Sequence, residues 1–98
     1  MNTQAREELL EIVKMAAKDD RLLDAFLRDI LTPSEYREIV SRWQIVKKLS
    51  AGKNQREVAF DLKTGISTVT RGARMLTNPV GGFNQILEKL GKKPKAQQ

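Results

Sequence analysis

NQREVAFDLKTGISTVTRGARML, residues 54–76, reads as two short helices joined by a tight turn. Asn54 can cap the first helix, and Glu57 three residues later completes a variant of the capping box. Val58, Ala59 and Leu62 then fall on one face, and Ala59 is small enough for a close helix crossing. Lys63, Thr64 and Gly65 interrupt the pattern. Ile66, Val69, Ala73 and Leu76 resume it at helical spacing. This is the layout of a helix-turn-helix, whose second helix enters the DNA major groove. Ser67, Thr68, Thr70 and Arg71 lie near the start of that second helix. They are hydrogen-bonding groups of the kind that reach phosphates and base edges.

The rest of the chain is built to carry that stretch. Leu9, Ile12, Val13 and Ala16 recur with helical period between Gln4 and Lys18. Asp19 and Asp20 break that helix and can cap a second, about Arg21 to Leu31, with Leu22, Leu23, Phe26, Leu27 and Ile30. Its apolar face is broad for its length and calls for cover on more than one side, as a second chain would give. Thr32-Pro33-Ser34-Glu35 is the strongest local signal: cap, proline at the first helical position, and capping-box glutamate. The third helix then runs to about Ala51, with Ile39, Val40, Trp43, Val46 and Leu49 expected inward and Gly52 as its left-handed stop. After the 54–76 pair, Thr77-Asn78-Pro79 and Gly81-Gly82 make a break. Phe83, Ile86, Leu87 and Leu90 form a last helix ended by Gly91. The expected core includes Leu9, Ile12, Phe26, Ile39, Val46, Leu49, Ile86 and Leu90. The expectation is all-α: six helices in one domain over residues 1–91, then a disordered basic tail over 92–98.

Composition narrows the function. The 98 residues contain no cysteine and no histidine, which excludes disulfides, thiolate or imidazole metal sites, and nucleophile–histidine catalysis. No apolar run is long enough to span a membrane. The acidic N-terminus lacks the order of a signal peptide, so a cytoplasmic location is expected. The net charge of +6 is uneven: residues 1–31 hold five Lys+Arg against seven Asp+Glu, whereas residues 32–98 hold 13 against five. The basic part contains the helix-turn-helix and suits a polyanion. A protein-binding helical module is the alternative, but such helices present apolar anchors rather than a hydroxyl-rich face. Glu35 and Glu38 share a helical face only partly, with no phosphate loop or metal cluster beside them, so no enzyme is expected.

Residues 31–76, LTPSEYREIVSRWQIVKKLSAGKNQREVAFDLKTGISTVTRGARML, resemble the bacterial Trp repressor family. LTPSE, Arg42 followed by IVKKL, NQRE, and GISTVTRG carry the resemblance at these separations. It implies an intertwined homodimer with one helix-turn-helix head per chain, acting as a transcriptional repressor on a double-stranded DNA operator. The family is itself a standard case of helix-turn-helix docking and water-mediated base contact, so the ~34 Å half-site spacing is borrowed from it. L-tryptophan is implied as corepressor, a ligand and not a catalytic cofactor. By position, Arg42 and Arg71 flank its indole, with Arg71 also on the carboxylate. Thr32 matches a hydroxyl near that carboxylate, the carbonyls of Asp29 and Leu31 match ammonium acceptors, and Gly72 leaves room for the ring. Trp43 and Met75 complete the implied ligand set. The implied DNA contacts are Gln55, Arg56, Ile66, Ser67, Thr68, Thr70 and Arg71. The sequence departs from the pattern at Met75, where some members have serine, and at Trp43, where an aliphatic residue is familiar. Ala59 replaces a family lysine. Lys63 replaces a usual glycine, at about 1–2 kcal/mol if that turn needs positive φ. The turn before Asn54 is one residue shorter. A repressor answering to another ligand, or to none, is the alternative within the same class.

Overall fold

The computed structural model describes residues 2–91. They form six helices: α1 (Thr3–Ala16), α2 (Asp20–Ile30), α3 (Pro33–Ser50), α4 (Gln55–Leu62), α5 (Ile66–Met75) and α6 (Gly82–Lys89). No strand occurs among the described residues. The chain divides between Glu38 and Ile39 into two compact units, and the uninterrupted α3 contributes to both. The expectation of a disordered 92–98 tail lies outside the described residues.

The N-terminal unit is set by its caps. The Asn2 side-chain oxygen accepts from the amides of Gln4 (2.8 Å) and Ala5 (3.3 Å) and starts α1. Asp19 does the same for α2, accepting from Arg21 (2.9 Å) and Leu22 (3.4 Å). The capping box expected at α3 is present: Glu35 N–H donates to Thr32 Oγ1 at 3.1 Å, and Thr32 N–H donates to Glu35 Oε1 at 2.8 Å. Two longer bonds tie α2 to the start of α3. Tyr36 O–H donates to Asp24 Oδ1 (2.7 Å), while Arg28 Nε donates to Asp24 Oδ2 (2.8 Å) and its guanidinium sits 5.9 Å from the Tyr36 ring centre.

This unit has little core of its own. Ala16 is its buried apolar residue, whereas Leu9, Leu10, Ile12, Met15, Leu22 and Ile30 are 40–61% exposed. The expected core is corrected here: in the single chain Leu9, Ile12, Ile39, Val40, Ile86 and Leu90 are exposed. Periodicity identifies an apolar face correctly, but whether that face is covered depends on what lies opposite.

The C-terminal unit holds the buried core. Ile45, Val46 and Leu49 of α3, Val58 of α4, Val69 of α5, Leu76 and Leu87 of α6 form it, with Trp43, Ala59, Leu62, Ala73 and Phe83 packed against it. α3 ends on Gly52 at φ 101°, with Gly52 N–H to Leu49 O and Lys53 N–H to Lys48 O, a Schellman closure. Gly72 allows α5 to approach α3: a Cβ there would meet Ile45 Cγ2 at 2.7 Å. Asn84 is buried in α6 and donates from Nδ2 to Leu76 O (3.0 Å) and Asn78 O (2.8 Å). It thereby fixes α6 against the end of α5.

Candidate nucleic-acid interface

The head is α4, a three-residue turn and α5. Asn54 and Glu57 form the expected capping box, at 2.9 Å and 3.2 Å. Val58 turns into the core and Phe60 turns out. The turn is closed by Lys63 at φ 54°, ψ 45°, the left-handed conformation glycine adopts without strain. Thr64 N–H reaches Ala59 O and Lys63 N–H reaches Phe60 O, which again completes a Schellman motif. α5 then starts at Ile66 after Gly65, with no side chain capping its first amides.

Of the DNA candidates, Arg56, Ile66, Ser67, Thr68 and Arg71 are exposed. Ile66, Ser67, Thr70, Arg71, Arg74 and Met75 line one open groove of about 630 Å³ along α5. Gln55 and Thr70 are half-buried and meet each other. The Thr70 hydroxyl lies 2.7 Å from Gln55 Oε1 and 2.9 Å from Ile66 O, and its single proton serves one acceptor at a time. This pair locks the first residue of α4 to α5 and so fixes the angle of the second helix.

The ligand candidates fall in two places. Asp29, Leu31 and Thr32 belong to the N-terminal unit, where Thr32 is the α3 cap. Arg42, Trp43, Arg71, Gly72 and Met75 belong to the C-terminal unit. There Trp43 and Met75 share a largely apolar groove of about 750 Å³ with Arg74, Asn78, Gly81, Gly82, Phe83 and Ile86. Trp43 packs on Phe83, ring centres 6.4 Å apart at 40°. The space beside Gly72 is taken by Ile45.

Three features carried no signal strong enough to be read from the sequence. Arg74 lines both grooves, and its spacing of three from Arg71 was the available hint. Asp61 receives Lys53 Nζ at 2.6 Å and lies 3.9 Å from Lys48 Nζ, which ties the end of α4 to the end of α3. The Lys53 bond holds the Asp61 carboxyl below its ordinary pKa and raises that of Lys53. Asn84 is a polar residue on an apolar face, and only its depth shows that it is structural.

Residues 4–91 match the family model described as Trp repressor protein. The chain belongs to the Trp repressor family. Similar proteins include a Trp operon repressor homolog of Vibrio vulnificus (strain YJ016), 32% identical over 87 residues, covering 84% of each chain. Another, from Vibrio cholerae, is 34% identical over 71% of this chain and 68% of its own. A third, from Xylella fastidiosa (strain M23), is 40% identical over 74% of this chain and 79% of its own. As a member of the Trp repressor family, this chain is a DNA-binding transcription regulator and not an enzyme. No described helix is long and apolar enough to cross a membrane.

Proposed function

We propose that this Trp repressor family member is a sequence-specific repressor acting as an intertwined, cytoplasmic homodimer in which residues 1–91 serve as one domain. Its operator is a near-palindrome before tryptophan biosynthesis or transport genes, with L-tryptophan as corepressor. The observation that carries the DNA reading is the α4–α5 head. Its core faces are buried at Val58 and Val69, while Arg56, Ser67, Thr68 and Arg71 stand exposed around an uncapped helix start. Amides and guanidinium groups so placed grip phosphate, and the short hydroxyls reach base edges. Gln55 and Thr70 set the angle and turn toward phosphate at the rim. The dimer is supported by the uncovered apolar faces of α1 and α2, which a second copy would bury.

Arg42 and Arg71 sandwich the corepressor indole in this reading, with Gly72, Trp43 and Met75 on one side and Asp29, Leu31 and Thr32 offering polar contacts. Bound ligand then favours the binding-competent head, a shift of population. The test is a gel shift on a symmetric operator library with and without L-tryptophan, together with calorimetry. Retarded duplex only with L-tryptophan supports the reading; no retarded duplex in either condition contradicts it.

A second reading, a repressor with another ligand or none, is favoured by two observations. The indole of Trp43 already packs on Phe83 beside Met75, and Ile45 fills the space at Gly72. Equal retardation with and without L-tryptophan, and no heat at millimolar ligand, would select it.

A further inference from the structure

Phe60 is 85% exposed, more than any other large apolar side chain described. It lies on the side of α4 opposite Val58 and Leu62, one turn after Arg56. A ring that anchors a protein partner stands in an apolar patch with other apolar groups around it. Phe60 does not: its neighbours one turn away in sequence are Arg56, Glu57, Lys63 and Thr64. The two acids on this helix are already engaged. Glu57 accepts from the Asn54 amide at 3.2 Å, and Asp61 is paired with Lys53 and Lys48. The ground around the ring is therefore net basic, with Arg56 and Lys63 beside it and two lysines over Asp61. That surface complements a polyanion.

We propose that Phe60 is a DNA-contacting residue whose ring packs on a deoxyribose of the duplex, beside the phosphate held by Arg56. The inference rests on the DNA-reading head proposed above. Four helical residues advance about 6 Å, under two nucleotide steps of ~3.4 Å, so ring and guanidinium address neighbouring parts of one strand. A neutral ring on a sugar releases no counterions. Its contribution is therefore independent of salt, unlike that of Arg56.

The test is fluorescence anisotropy of the full chain on one symmetric operator duplex, over a salt series. Phe60→Ala should bind about three- to tenfold more weakly at every salt concentration, as partial loss of an aromatic contact gives, with the slope of log affinity against log salt unchanged. Phe60→Leu should recover most of the loss. Arg56→Ala should instead flatten the slope by about 0.9. Because the ring is exposed, thermal melts of the Phe60 variants should overlay the parent. The inference is overturned if Phe60→Ala binds a single operator like the parent while Arg56→Ala shows its flattened slope. It is also overturned if Phe60→Ala alters only cooperativity between dimers on tandem sites, which would make the ring a protein contact. If parent and Arg56→Ala are indistinguishable, the head assignment itself fails and Phe60 with it.

Discussion

Lys63 has the only positive φ outside glycine among the described residues. A left-handed non-glycine residue costs about 1–2 kcal/mol, and glycine itself gives back about 0.5–1 kcal/mol through its freedom in the unfolded chain. Lys63→Gly should therefore stabilise the fold by up to about 1 kcal/mol, a rise of roughly 4 °C in the melting midpoint for a domain this size. An unchanged or lower midpoint in calorimetry would show that the turn carries no strain. Gly72 behaves oppositely. Its missing Cβ is what lets Ile45 approach, so Gly72→Ala should destabilise by about 1–3 kcal/mol, read as a lower midpoint in urea. The sequence shows that position 63 is a turn, because apolar periodicity stops there. It does not show the clash at Gly72, because Ile45 is 27 residues away and its orientation follows from how α3 and α5 cross.

At the scale of elements, the caps were the most legible feature, since each is written in adjacent residues. Thr32 with Glu35, Asn54 with Glu57, and Gly52 all take the roles their order implies. The ties between elements were not legible. Asp61 links α4 to the end of α3 through two lysines that precede it by eight and thirteen residues. Asp61→Asn should release Lys48 and Lys53 toward phosphate and steepen the salt dependence of DNA binding by up to ~0.9 for each lysine recruited. An unchanged slope would show that neither reaches the duplex.

The Asp24–Arg28–Tyr36 cluster makes a pH prediction. Hydrogen bonds from Arg28 and then Tyr36 hold the Asp24 carboxyl below its ordinary value, and the bond to Asp24 raises that of Tyr36. A depressed carboxyl stabilises above its unfolded value near ~3.9, and that contribution fades as pH falls through the folded value. The raised phenol stabilises below ~10 and loses its contribution as pH rises through its folded value. Tyr36→Phe should move the Asp24 titration, followed by NMR, back upward. No movement would mean that the bond is absent in solution.

For the whole molecule, the decisive fact is where apolar surface is left uncovered. Leu9, Leu10, Ile12, Met15, Leu22 and Ile30 stand 40–61% exposed, in a chain too short to bury them alone. The breadth of the α2 face was visible in the sequence; the shallow burial of α1 was not, because its periodic stripe looks like any core helix. A dimer makes stability depend on protomer concentration. Leu22→Glu should therefore lower the sedimentation mass toward 11.1 kDa and weaken operator binding together. A parent that sediments as a monomer at operator-binding concentrations would contradict the dimer.

The central claim is that α5 reads bases while the start of α4 holds backbone. Selection from a randomised symmetric duplex library tests it most directly, run side by side on the parent, Arg56→Ala and Thr68→Ala. Arg56→Ala should weaken every duplex and leave the order of preference intact, whereas Thr68→Ala should change which duplexes are selected. If both variants select and bind the library as the parent does, the head does not read DNA through these residues.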